Sequence, residues 1–232
     1  MNERKFSKEQ AIKFGWQRMK DNLGFFIVYL IILFAIEGFF SFFASAFSES
    51  LPSLSILFNL GSWVVSVVSS IFVIKIGLKL YENEKIGAYD FLSFSSSLFF
   101  RFLLGYVLYT LLAVVGFLLL IVPGIYLAIK YQYVQYLIVD KNMDVIEAFK
   151  ESGKMTKGHK WNLLLLLLLF LMITILGVMA LGIGLLIAVP IVIVAQAYVY
   201  KKLSSNTVVQ ANSTTTHTGS IDNSFQAPGS IA

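Results

Sequence analysis

Long apolar runs separated by short charged stretches set the pattern of this chain. The first covers residues 24–47 and the second residues 56–80. Each exceeds the ~20 residues that a helix needs to cross a hydrocarbon core of ~30 Å. The next apolar block, 102–139, would be ~57 Å long as a single helix, so it must fold back. Pro123-Gly124 supplies a reversal, because proline lacks a donor and glycine tolerates tight turns. The block then divides into spans 102–122 and 125–139, the second short and rich in polar side chains. The last block, 161–200, has the same excess length, and Gly182 and Gly184 offer its turn. It divides into spans 161–181 and 183–200, the latter bent at Pro190. The pattern predicts an all-α integral membrane protein with six transmembrane helices arranged as three hairpins.

Positive charge sorts with this division. All 18 Lys and Arg fall before the first run, around 75–101, around 130–160, or at Lys201 and Lys202. The connections at 48–55, Pro123-Gly124 and 181–184 carry none. Basic loops stay on the cytoplasmic side, so both termini are expected inside and the protein in the cell membrane. The net charge of +5 then reads as topology plus attraction to anionic lipid headgroups, and not as a nucleic-acid surface. With 57% hydrophobic and 13% charged residues, the chain has more apolar surface than one water-soluble core can hide. It contains no cysteine, which excludes disulfides and thiolate-ligated metals. Ala44-Ser45-Ala46 resembles a signal-peptidase site, but the run before it is longer than the roughly 7–15 residues of a signal-peptide core and contains Glu37. It is read as a retained span.

A short amphipathic segment precedes each hairpin. In 7–20, Ser7 and Gln10 have capping-box spacing, and Ile12, Trp16 and Met19 share one face. In 144–157, Asp144 and Glu147 repeat the capping spacing above Val145, Ala148 and Phe149. A third, 87–99, is less regular. Such helices rest at the headgroup boundary on the cytoplasmic side. Gln10-Ala11-Ile12-Lys13 and Glu147-Ala148-Phe149-Lys150 suggest a threefold repeat of interfacial helix plus hairpin, with chance similarity as the rival. Residues 1–202 thus form the membrane domain. From 203 to 232 the composition turns to Ser, Thr and Asn, which predicts a disordered cytoplasmic tail. Its Asn212-Ser213-Thr214 glycosylation pattern would face the cytoplasm and stay unmodified.

Charges inside spans are the natural candidates for function. Glu37 and Lys130 both fall near mid-membrane by count, where they could pair or share a polar cavity. The alternative is a protonated Glu37 and a snorkelling Lys130. Span 125–139 also carries Tyr126 and Tyr133 on the Lys130 face, with Gln132 and Gln135 close by. These six residues form the candidate polar site. Their competing reading is interhelical hydrogen bonding and interfacial tyrosines. Gly105, Gly116 and Gly177 read as close-packing positions. Catalytic residues, cofactor sites and metal sites are not expected. The two histidines, His159 and His217, are far apart, and nucleophile-elbow and phosphate-loop motifs are missing. Glu82, Glu84 and Asp90 read as a solvated acidic loop.

The stretch Ile121-Val122-Pro123-Gly124-Ile125-Tyr126-Leu127, with Ala148-Phe149-Lys150-Glu151-Ser152, Lys157-Gly158 and Lys160-Trp161, resembles a family of uncharacterised six-helix membrane proteins. That family is related to the membrane domain attached to some glycerophosphoryl diester phosphodiesterases. Gly15-Trp16 before the first span also fits. The resemblance implies the fold without a reaction, since the phosphodiesterase catalytic domain has no counterpart here. The expectation is a non-catalytic membrane protein that organises lipids or partner proteins, the latter unspecified, at the cytoplasmic face. The competing expectation is a transporter or lipid-handling protein with a polar site around Glu37 and Lys130.

Overall fold

The computed structural model describes residues 7–87, 95–180 and 184–219. These residues form helices and their connections only, as expected of an all-α membrane protein. In chain order the helices are α1 (Lys8–Asp21), α2 (Leu23–Ala46), α3 (Pro52–Glu82), α4 (Ser96–Leu119) and α5 (Ile121–Tyr131). They continue as α6 (Val134–Lys141), α7 (Val145–Met155), α8 (Lys160–Met179) and α9 (Leu185–Gly219). Five are long and apolar enough to cross a bilayer: α2, α3, α4, α8 and the Leu185–Ser205 part of α9.

The first hairpin is zipped by polar contacts. α3 presents Ser55, Asn59, Ser62, Ser66 and Ser69 at alternating four- and three-residue spacing, one stripe along the helix. Ser55 Oγ donates to the Ala44 carbonyl at 2.7 Å, and the Tyr29 and Ser69 hydroxyls meet at 2.7 Å. Stacked phenylalanines close the far end, with Phe43 and Phe58 centroids 5.3 Å apart. Apolar packing drives little association in lipid, so small polar residues that hydrogen-bond across helices carry much of the pairing.

The second hairpin departs from expectation in two places. Its turn falls at Leu120, which is extended (φ −167°, ψ 154°), and not at Pro123-Gly124. Pro123 sits in the first turn of α5, where its missing N–H costs no helical bond. Gly124 lies against Gly116 of α4, an approach that leaves no room for a Cβ. The span predicted at 125–139 is two helices: α5 ends at Tyr131 and α6 starts at Val134. A continuous fourth span is therefore corrected to an interrupted one. Irregular backbone of this kind is tolerated where it is buried in protein, and Tyr133 at the break is fully buried.

α1 is the helix predicted at 7–20. Ser7 is its N-cap and accepts from Gln10 N at 3.4 Å. The Gln10 side chain does not close the capping box. It accepts from Tyr198 of α9 instead, at 3.4 Å. α1 is also more tightly held than a surface helix. Ala11 and Met19 are buried, and a Cβ on Gly15 would lie 2.6 Å from the Ile191 carbonyl oxygen. α7 is the helix predicted at 144–157, with Asp144 at its N-cap but without the side-chain cap bond its spacing with Glu147 suggested, and most of the segment at 87–99 lies outside the described residues. α9 continues as helix to Gly219, past the predicted start of the tail at 203. Leu203 and Ser204 are buried, so the folded domain extends beyond 202. Extending an existing helix costs far less than nucleating one, which explains why polar composition did not end it there.

Gly15→Ala is expected to lower thermal stability in detergent by about 1–3 kcal/mol, the range for overpacking. Gly24→Ala, where an added Cβ meets nothing within 4 Å, is the control and should be neutral or slightly stabilising. Equal melting temperatures for the two variants would show that α1 is not seated on α9 as described.

Candidate functional site

The most highly charged contact lies where α3 and α6 end against the middle of α9. The Lys201 ammonium sits 2.7 Å from Glu82 Oε1 at the end of α3 and 2.8 Å from Asp140 Oδ1 at the end of α6. The Tyr200 hydroxyl donates to the other Asp140 oxygen at 2.8 Å. Lys201 and Asp140 are mostly buried, with side chains 19% and 17% exposed. One cation between two carboxylates joins α3, α6 and α9, and the low local dielectric strengthens each contact. Beneath it, the rings of Tyr133, Tyr136 and Tyr200 form a cluster, with centroids 5.1–6.0 Å apart.

Two arginine staples flank this cluster. Each of two helices ends in an asparagine with left-handed backbone, Asn83 (φ 62°) after α3 and Asn142 (φ 52°) after α6. Asparagine tolerates that conformation better than most residues. Arg18 donates to Asn83 Oδ1 at 2.8 Å. Arg101 donates to the Asn142 carbonyl and side-chain oxygen, both at 2.7 Å. Arg18 precedes the first hairpin and Arg101 opens the second. The first two helix pairs are thus each clamped by an arginine from the start to an asparagine at the end, and α8–α9 has no counterpart among the described residues.

The six residues singled out from sequence do not form one site. Glu37 lies between α2 and α3, where Ser62 Oγ donates to Oε2 at 2.5 Å and Ser66 Oγ to Oε1 at 2.6 Å. Lys130 is in the last turn of α5, with its ammonium 4.8 Å from the Tyr131 ring centroid. Its carbonyl accepts from Ser152 of α7 at 3.0 Å and from Thr156, the cap just past α7, at 3.2 Å. Of the two readings left open for Glu37 and Lys130, the structure gives them separate partners and does not pair them. Two serine hydroxyls one turn apart satisfy the carboxylate without a cation. Tyr126 belongs with Lys130: its hydroxyl is bonded by Lys160, whose ammonium also sits 3.7 Å from the Tyr126 ring centroid.

Gln132, Tyr133 and Gln135 lie at and just after the helix break. Gln132 Nε2, the Tyr133 hydroxyl and both amide atoms of Gln135 are buried with no protein partner among the described residues. Gln135 faces α4 at Gly105. Sequence reasoning found these three but missed Asp140, Tyr200, Lys201 and the role of Glu82. Their signal was weak, because charges at span ends have a sufficient explanation in topology. Of the predicted acidic loop, Glu82 is bound to Lys201, Glu84 lies 3.8 Å from Lys79, and Asp90 is outside the described residues.

An apolar cleft of about 560 Å³ lies between α2 and α3 among Phe25, Ile32, Val64, Val68 and Phe72. A larger one, of about 1080 Å³, lies between α1 and α8, where Lys8, Glu9, Lys13 and Asn162 face Leu165 and Met172. Another opens where α1 meets α8 and α9, beside Ile12, Trp16, Ile173 and Ile191.

A family of proteins of unknown function, DUF975, matches residues 34–207. The chain belongs to the DUF975 family. The match spans α3 through the Lys201 cluster and includes the motifs at 121–161, whereas α1 lies before it. It supports an uncharacterised family and makes no connection to the phosphodiesterase membrane domain. No curated protein and no solved structure matches the chain.

Lys201→Met is expected to destabilise this DUF975 protein by about 2–4 kcal/mol, because it leaves two adjacent carboxylates unpaired. Adding Asp140→Asn and Glu82→Gln should recover most of the loss. A triple variant no more stable than Lys201→Met would refute the charge cluster. Gln135→Leu removes an amide without protein partners, so it should be neutral or raise the melting temperature. A fall above about 2 kcal/mol would reveal a bonded amide.

Proposed function

We propose that this chain is a non-catalytic multi-pass membrane protein that organises lipids, and through them partner proteins, at the cytoplasmic face of the cell membrane. Its three hairpins have all their ends on that side, in keeping with the sorting of positive charge. The observation that carries the reading is a set of lysines laid over aromatic rings at the apolar–polar boundary. Lys160 covers Tyr126, Lys130 covers Tyr131, and Lys20 lies 5.8 Å from the Trp16 ring centroid. Trp16 and Tyr126 are nearly half exposed and Trp161, next to Lys160, is 70% exposed. Exposed aromatics beside cations suit the headgroup layer, where the ring meets the glycerol region and the ammonium meets phosphate. The apolar clefts beside α1 and between α2 and α3 suit acyl chains.

A second reading, a polar solute site, draws support from the interrupted helix and the unpartnered atoms of Gln132, Tyr133 and Gln135. It would centre on the helix break and not on Glu37 and Lys130.

The test is lipid retention in nanodiscs of mixed neutral and anionic phospholipid. Wild type should keep anionic lipid through purification. Each of Lys130→Ala and Lys160→Ala should weaken retention about fivefold, from roughly 1 kcal/mol per lysine at an anionic surface. Unchanged retention in the folded double variant would overturn the reading.

A further inference from the structure

The three hairpins do not reach the same depth. α3 and α9 run side by side in the same direction: Gly77 packs on Ile193 and Ala197, and Glu82 pairs with Lys201. From the Gly77 contact to its start at Pro52, α3 extends about 37 Å. From the same level to its start at Leu185, α9 extends only about 15 Å. The second hairpin is tied to the same level through Asp140 and through Arg101 on Asn142. From Arg101 to Leu119, α4 extends about 27 Å, against about 45 Å for α3 from Glu82 to Pro52. The tips of the second and third hairpins therefore stop about 20 Å short of the first.

The chemistry of the tips follows their depth. The deep tip carries Ser48, Glu49, Ser50 and Ser53, with Glu49 and its neighbours exposed. The shallow tips carry no polar side chain. Residues 118–122 read Leu-Leu-Leu-Ile-Val and are each 69–80% exposed. At the third tip Val178 and Met179 are 56% and 75% exposed. Side chains this apolar and this exposed suit contact with acyl chains better than an aqueous loop.

The cytoplasmic boundary can be set independently. At about 46 Å, α3 is too long for a ~30 Å core, so its Lys75–Glu82 end must project. α2 begins at Leu23, opposite this end of α3, directly after Lys20 and Asp21. α7 runs back along α6 to reach Lys130, and its Glu147, Lys150 and Lys154 are exposed, so water or headgroups must extend to the level of Lys130. Measured from Lys75, the shallow tips enter about 15 Å, half the hydrocarbon thickness.

We infer that only the first hairpin, α2–α3, crosses the bilayer. The hairpins α4–α5 and α8–α9 are half-depth insertions whose occupant is the acyl-chain layer of the cytoplasmic leaflet alone. α8, about 30 Å long, then lies oblique to the membrane, and its first residue Lys160 reaches sideways to Tyr126. Two apolar hairpins filling one leaflet make the protein a wedge that expands that leaflet relative to the other. This goes beyond lipid retention and shares with it only the cytoplasmic placement of the hairpin ends.

The chain has no cysteine, so single cysteines report without background. Ser50→Cys, Leu120→Cys, Val122→Cys, Ala180→Cys and Lys141→Cys are placed in the full chain, in sealed vesicles of known orientation. An impermeant maleimide should label Ser50→Cys from the outer side and Lys141→Cys from the cytoplasmic side. Leu120→Cys, Val122→Cys and Ala180→Cys should react from neither. An environment-sensitive fluorophore at these three positions should be quenched more by a quencher at the acyl-chain end than by one near the headgroup. Outer-side labelling of Leu120→Cys or Ala180→Cys, or stronger headgroup quenching, would show full spans and overturn the inference. Outer labelling of Lys141→Cys would overturn the orientation instead, and with it the leaflet assignment.

Discussion

The architecture depends on one lysine held between two carboxylates. Lys201 collects Glu82 from α3 and Asp140 from α6, so the ends of those two helices and the middle of α9 are held at one level. A hairpin in lipid gains little from apolar contact with another, because acyl chains are as apolar as leucine. A charged contact at the membrane-proximal end escapes that limit. It is shielded enough to be strong, and close enough to the aqueous side for its desolvation cost to stay moderate. The arginine–asparagine clamps at Asn83 and Asn142 reinforce the same level. With the ends held together, the lengths of the helices below decide how far each hairpin reaches.

The long apolar helices were legible because they are written in the coarsest variable available, runs of apolar residues. α2, α4 and α8 fall within a few residues of their predicted limits, apart from the start of α4 at Ser96, ahead of 102. What hydropathy cannot see is where the backbone stops being helical inside an apolar stretch. The interruption at Gln132-Tyr133 carries neither proline nor glycine, so no local signal marks it. Conversely, the conspicuous Pro123 produces no break, because proline is harmless in the first turn of a helix that begins two residues before it.

The candidate site was less legible for a related reason. Depth counted along one span says nothing about which helix a side chain faces. Glu37 and Lys130 matched in count, yet Glu37 faces the serine stripe of α3 and Lys130 faces α7. The stripe was visible as serines at heptad-like spacing, but its meaning required knowing that α2 lies against it. Asp140 and Lys201 sit 61 residues apart, and only the tertiary fold brings them together.

These two lessons combine in the unequal reach of the hairpins. The rule that sorts positive charge constrains only the parity of crossings, and it is satisfied equally by a hairpin that crosses twice and by one that turns back halfway. Tip chemistry breaks the tie. Glu49 with its serines can meet water on the far side, while residues 118–122 offer water no polar side chain. A tip of five large aliphatic residues would lose the hydrophobic stabilisation of most of that surface if it emerged, at roughly 25 cal/mol per Å². Lengthening α4 or α8 to reach the far side would require only a few more turns of helix and a polar loop. The first hairpin has both; the other two have neither.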